Sequence, residues 1–520
     1  MADLVTLARI NPRRCLLLLY PLFFAMLLAW GLGTPLQQSP DEWSHLYRAA
    51  GIYDGQILIS APQPMDPTLG DPIRVPGSLV AERDASRCFM HRSTVPVSCS
   101  HPRQASDALV QTFTPAARYP PFYYLLVGWP MLFGYGHLAL YLMRVVAAAV
   151  SAVFLAWGML SVLRLGAGLA ATGMIVAVTP MVAWLSTMIN PNGLEIAAAV
   201  TLWPHLVLWI TSAETRLRRA GVFGAATAAA VMVLSRSVAI IWVWVAVLSV
   251  LPLMRLGWLR DQLRNRLTYQ AIGGVAVAGI VTLIWSAVSR QTQLAPLKKP
   301  GDHVRHDSLT HNLGLAFDHL RRWWHQAVGD FGWLDTPISN RVLQLYDLAW
   351  ILLIVAAVVV GIRTGHGRAV CSAAIAAGLT VAVTLYLAAS VTNQLGSGFW
   401  QGRYSLPMGV GVPLLLGYAA RTTGGRARRL AAGASLLVSA IVSVVALKSF
   451  LTFFQRNSVG THRPLSLHGG WQPPGGVVLW LLVLVLSLVG LALVAAAAAA
   501  GGQVRAGQLT GVSSAGAQPS

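Results

Sequence analysis

"LLLLYPLFFAMLLAWGLG", residues 16–33, decides the fold. These 18 residues carry no charge, and as a helix they reach close to the ~30 Å hydrocarbon thickness of a bilayer. Runs of this kind recur to the other end of the 520-residue chain, which is 55% hydrophobic and 11% charged, with a mean hydropathy of +0.59. That is far more apolar than an average soluble domain. Reading all the runs gives helices near 16–33, 138–163, 168–187, 193–211, 221–235, 237–254, 270–289, 343–362, 369–390, 405–420, 431–450 and 477–498. The expectation is an all-α polytopic membrane protein with about twelve transmembrane helices, set in a lipid bilayer.

The formal charge of +20 does not point to nucleic acid, because the positive residues punctuate the apolar runs and form no clustered stripe. Nearly all are Arg, with Lys only at 298, 299 and 448. Arg9, Arg13 and Arg14 precede the first run, and no small-x-small cleavage site follows it, so it reads as a retained signal anchor. With that end inside, "LRLGAG", "TRLRRA", "MRLGWLRDQLRNR", "IRTGHGR" and "RTTGGRARR" become cytoplasmic loops, while the opposing "MINPNG" is free of basic residues. Both termini are then cytoplasmic.

Five further boundaries follow. Residues 1–33 form the anchor, 34–137 a large extracytoplasmic loop, 138–289 helices 2–7, 290–342 a second such loop, 343–498 helices 8–12, and 499–520 a disordered Ala/Gly/Ser tail. Phe122–Gly136 is apolar but short, contains Pro130 and is rich in Tyr and Trp. Counting it as a span would place the Arg clusters outside, so it reads as an interfacial or re-entrant helix. Cys88 and Cys99 share the first loop, where an oxidising compartment favours a disulfide over two free thiols.

The first loop opens with "QQSPDEWSHLYRAAGIYDGQ", residues 37–56. Ser39, Pro40 and Glu42 read as a capping box, after which Trp43, Leu46, Tyr47, Ala50 and Tyr53 make an apolar stripe that would lie along the outer leaflet. Asp41, His45 and Arg48 fall at i, i+4 and i+7, on one side of that helix. A carboxylate beside a titratable His and a cation at a membrane boundary is a candidate general base. A solvated helix face explains the same residues, and the sequence leaves both readings open.

The motifs "SPDEWSHLYRA", "YPPFYYLL", "INPNGLEIAAA", "FGWLDTP" and "QGRYSLP", in that order, resemble a family of bacterial membrane proteins known as domain of unknown function 2142, over about residues 15–450. The layout, an acidic pair after the first span and then a long loop with "RYPPFYYLLVGWP", is similar to the glycosyltransferase C superfamily of polyprenyl-phosphate-sugar enzymes. That resemblance implies a base role for Asp41, with Glu42 as the substitute and His45 beside them. It further implies a polyprenyl-phosphate-linked sugar as donor, an extracytoplasmic glycan, lipid or protein as acceptor, and a site on the outer face of the bacterial plasma membrane.

A departing phosphate needs a cation. Arg403 in "FWQGRYSLP" offers a forked guanidinium, and Arg236 in "VLSRSVAI" is either a second phosphate contact or part of a tight turn. Arg48, Tyr119, Asn192, Asp335 and Gln401 are weaker substrate-binding candidates, and Asn190 is another possible sugar contact. Glu195 reads as a helix-dipole residue. His303, His306, His311, His319 and His325 match no recognisable zinc spacing, so no cofactor is assigned and a divalent metal stays open. The absence of a Gly-rich phosphate loop and of Asp-x-Asp favours a lipid-linked donor over a nucleotide sugar. The rival classes are a transporter or flippase of a lipid-linked saccharide, disfavoured because nearly all polar residues fall at the outer face and not near the midplane, and a non-catalytic envelope scaffold.

Overall fold

The computed structural model describes residues 4–59, 65–66, 69–166, 168–291, 293, 308–395, 399–421 and 425–501. His303, His306 and most of the expected C-terminal tail lie outside them. Among the described residues nine helices are long and apolar enough to cross a bilayer: Pro12–Leu32, His137–Leu165, Pro191–Thr211, Thr215–Ser235, Arg266–Val288, Asn340–Arg363, Gly367–Thr392, Gly425–Ser458 and Val477–Ala500.

These nine correspond to nine of the twelve expected spans. The remaining three segments are helical but short or broken: Ala170–Ala177 with Pro180–Leu185, Ala239–Ser249, and Leu406–Gly409 with Gly411–Ala419. The first break has a local cause. Proline at 180 disfavours helical backbone at Thr179, which sits extended (φ −62°, ψ 162°) and caps the next helix through its Oγ1 to Val182 N at 3.0 Å. The "INPNG" motif works the same way: Asn190 is an N-cap whose side chain accepts from Asn192 N at 3.0 Å, with Pro191 in the first turn. Gly193 lets that turn press on the preceding segment, since a Cβ there would lie 2.0 Å from the Leu185 carbonyl oxygen. Asn190 thus spends its side-chain oxygen on capping this helix.

The all-α expectation also misses two small sheets. Asp71–Pro76 pairs antiparallel with Leu109–Thr114, Ile73 opposite Thr112, inside the first long loop. Cys88 and Cys99, between those strands, are joined as a disulfide with their Cα atoms 6.1 Å apart. In the second loop the two-residue strands Asp330–Phe331 and Thr336–Pro337 make "GWLDTP" a hairpin, with Gly332 and Leu334 at φ +64° and +58°. Phe122–Val127 and Trp129–Phe133 are both too short to cross a bilayer.

The two long loops are bound to the bundle and to each other. Phe331 packs against Trp30, Trp184 and Phe453, with ring centroids 5.2–5.4 Å apart. Arg118 pairs with Asp71 (Nη2 to Oδ1, 3.1 Å) and donates to the carbonyl of Arg290 at 2.7 Å. The helix Gly425–Ser458 runs eight residues past its expected end at 450, which brings Arg456 to Asp335 (2.8 Å) and to the carbonyls of Phe89 and Val95.

Candidate functional site

The opening helix spans Glu42–Tyr53 and begins later than the capping-box reading requires. Its N-cap is Asp41, in the left-handed region (φ 63°, ψ 4°) with no side-chain capping bond. Glu42 does not cap either. It is fully buried, taking Arg144 Nε at 2.8 Å and Nη2 at 2.7 Å on its two oxygens and the amide of Gln37 at 3.0 Å. Arg144 spends its remaining donors on the carbonyls of Gly31, Thr34 and Pro35, so the pair clamps the end of the first span to this helix. Nor does the helix lie on a leaflet surface, because Ser44–Ile52 are all buried under the loop and the bundle.

Consecutive residues are thereby sent to different places. Glu42 turns into the protein, while the Asp41 side chain stays half-exposed and meets Arg403, Nη2 to Oδ2, at 2.6 Å. The left-handed backbone at a non-glycine residue costs about 1–3 kcal/mol and is retained where surrounding structure enforces it. Arg403 is brought there by the turn Gly402–Ser405. Gly402 packs on the second loop: a Cβ there would lie 2.0 Å from the Trp323 carbonyl oxygen, and its amide donates to Gln326 Oε1 at 2.9 Å.

Arg403 is 3% exposed, yet its Nε and Nη1 have no protein partner, an exception to the rule that buried polar groups are hydrogen-bonded. Its guanidinium sits 5.2 Å from the Tyr404 ring centroid, and that of Arg236 sits 5.6 Å from the same ring. Arg236 is anchored by the buried Glu195, Nη1 to Oε2 at 2.8 Å, and Glu195 also accepts from Asn192 Nδ2 at 2.9 Å. Glu195 therefore does more than face a helix dipole, since it fixes the second cation. Asn192 Oδ1 and Gln401 Oε1 are buried without partners.

His45 lies under this group, its ring 5.3 Å from Tyr119 and its Nδ1 2.7 Å from the Tyr124 hydroxyl. Burial pushes the imidazole down to about 3, opposed by the Asp41 carboxylate and reinforced by Arg403 and Arg236. His45 is neutral at physiological pH. Burial likewise raises the Tyr119 phenol, against the nearby Arg236. The structure thus gathers Asp41, His45, Tyr119, Arg236 and Arg403 around Tyr404, a residue the sequence reading did not single out.

Other candidates lie elsewhere or are occupied. Arg48 is buried and donates to the carbonyls of Tyr119, Gln56 and Ile57, so it positions the Tyr119 backbone. Asp335 is held by Arg456 in the hairpin junction. His319 and His325 bond the carbonyls of Leu315 and Ile338, and among the described residues no three His, Cys, Asp or Glu side chains converge as a metal-ligand set. Arg144 was detectable in principle, as an ionisable residue inside an apolar run.

Against the turn that carries Arg403 lies a cavity of about 340 Å³. Gly402 and Ser405, which flank Arg403 and Tyr404, form part of its wall, and Trp323, Trp324, Trp350 and Leu406 make the rest largely apolar. Both helix breaks, at Thr179 and at Gly409–Val410, face it. The arrangement can hold an anion against two guanidinium groups, an apolar chain beside them and a hydroxyl near a half-exposed carboxylate.

A family model described as "Predicted membrane protein (DUF2142)" matches residues 23–415. No curated protein matches the chain in sequence. Among solved structures, the crystal structure of ArnT from Cupriavidus metallidurans bound to undecaprenyl phosphate is 14% identical, with a TM-score of 0.39 over 91% of this chain and 76% of that one. The apo structure of the same protein is 13% identical, with a TM-score of 0.41 over 91% and 75%.

Proposed function

The chain belongs to the DUF2142 family of predicted membrane proteins, and we propose that this member is an integral membrane glycosyltransferase of the plasma membrane. It moves a sugar from a polyprenyl-phosphate donor to an extracytoplasmic glycan, lipid or protein of the envelope. The observation that carries this reading is Arg403: buried, bonded through one nitrogen to the half-exposed Asp41, with two nitrogens unpartnered and an apolar cavity starting at its own turn.

In the proposed reaction Asp41 takes the proton of the acceptor hydroxyl as its oxygen attacks the anomeric carbon. The bond from that carbon to the phosphate oxygen breaks, and its electron pair leaves with the polyprenyl phosphate. Arg403 and Arg236 stabilise that charge from positions fixed before the substrate arrives. Neutral His45 and Tyr119 shape the floor, Asn192 and Gln401 offer unpartnered oxygens to sugar hydroxyls, and the apolar cavity takes the isoprenoid. The disulfide in the first loop supports an extracytoplasmic placement of this face.

The test is the envelope glycan profile of a strain lacking the protein, complemented with the native sequence or with Asp41→Asn. Restoration by the native sequence alone, at equal membrane abundance, is expected. Full restoration by Asp41→Asn sinks the reading. A second reading, translocation of a lipid-linked saccharide, is favoured by one observation: two broken helices face the cavity, as in many transporters. Under it the Asp41→Asn strain makes the same glycans as the native one.

A further inference from the structure

The helix Thr215–Ser235 ends beside Arg236 of the site, and its 21 residues make it about 31 Å long, close to the thickness of a bilayer core. Its other end therefore lies a membrane's width away. There, a second cavity of about 200 Å³ opens between its first turns and the junction of Leu256–Gln262 with Arg266–Val288. Arg218 and Arg219 stand on one wall, Asp261 and Asn265 on the other, with Val222 and Leu267 towards the bundle.

Three features mark this cavity as an anion site. Among the described residues neither the Arg218 nor the Arg219 side chain has a hydrogen-bond or ion-pair partner, and Asp261, the only acid on the wall, is exposed. The helix Thr215–Ser235 begins at Glu214 with no side-chain cap, so its first amides are left with hydrogen-bonding capacity. The two connections that meet here, residues 212–219 and 254–266, carry seven arginines against Glu214 and Asp261, and Glu214 is engaged by Arg9.

A phosphate ion would use only the cations, but the surroundings offer more. Arg266–Val288 packs by one face on Thr215–Ser235, where Thr282 Oγ1 donates to the Val233 carbonyl, and its other face presents Ile272, Val277 and Ile280 outward at 57%, 61% and 55% exposure. Phe223, next to Val222, is 62% exposed. A phosphodiester seated between Arg218 and Arg219 would lay its acyl chains on these faces. We infer that this cleft binds the headgroup of an anionic phospholipid. A zwitterionic lipid would bring an ammonium group to a wall with two unpaired guanidinium groups and a single carboxylate, which disfavours it.

Native mass spectrometry of the purified full chain tests this, with phosphatidylglycerol and phosphatidylcholine offered in equal amounts. Phosphatidylglycerol should be retained at least about tenfold better, since each cation near a headgroup contributes roughly a factor of five to ten. Arg218→Gln with Arg219→Gln should abolish the preference, and Asp261→Asn should strengthen it. Equal retention of both lipids by the native protein overturns the site without recourse to a variant, as does an unchanged preference in the double variant. If millimolar inorganic phosphate displaces the phosphatidylglycerol fully, the cleft is a soluble-anion site and the lipid assignment falls.

Discussion

Arg403 and Asp41 are 362 positions apart in the chain and 2.6 Å apart in space, while Glu42, the immediate neighbour of Asp41, points the other way to Arg144. One acidic pair thus serves two purposes, with a half-exposed carboxylate in a cationic pocket and a buried one in a structural clamp.

Asp41→Asn keeps an oxygen acceptor for Arg403 and removes the base. Transfer activity in membranes supplied with polyprenyl-phosphate sugar is expected to fall by about 10²–10⁴-fold, the usual yield of general base catalysis, with little change in melting temperature. Arg403→Lys keeps the charge and gives up the fork, so the apparent KM for the lipid donor should rise at least about tenfold. An unchanged KM would remove Arg403 from the donor site.

Glu42→Gln should behave quite differently. It leaves the Arg144 guanidinium charged, buried and unpaired, a change that typically costs on the order of 3–5 kcal/mol. The expected readout is a large drop in melting temperature in detergent and in membrane yield. Replacing both partners, Glu42→Leu with Arg144→Met, should recover much of it. A Glu42→Gln protein as stable as the native one would refute the clamp.

Stability should also fall in mild acid because of His45. Its folded-state value of about 3 is depressed below the ordinary 6.5, so the folded state favours the neutral ring. The contribution is complete above pH ~6.5 and is lost as pH falls from there towards 3, amounting to about 2 kcal/mol by pH 5. Melting temperatures at pH 7.5 and pH 5 measure it. His45→Gln should shrink the difference, and an equal difference in both proteins would contradict the assignment.

The Cys88–Cys99 bond closes a loop with a sequence separation of 11, for which removal costs roughly 2–4 kcal/mol. Protein purified without reductant should take up a maleimide at the exposed Cys371 but at neither loop cysteine until reduced. Labelling of Cys88 and Cys99 before reduction would argue against an oxidising location for this loop.

The sequence by itself determined what depends on composition and short-range pattern: an apolar chain of membrane-crossing helices, a helix start directly after "INPNG", and an acidic segment directly after the first span, whereas the break at Thr179–Pro180 inside the expected helix 168–187 emerged only in the structure. Bilayer thickness and proline geometry act within a few turns of chain and can be read without a fold. Only the tertiary structure decided which member of Asp41–Glu42 is buried, that Glu195 holds Arg236, and that Arg456 holds Asp335. The capping box failed for the same reason, because Arg144, from a helix about a hundred residues away, and the Gln37 amide take the Glu42 oxygens in place of the Ser39 amide. A charged group in a low-dielectric interior must find a partner wherever the chain supplies one, so pairing follows the packing of distant helices and leaves no local pattern.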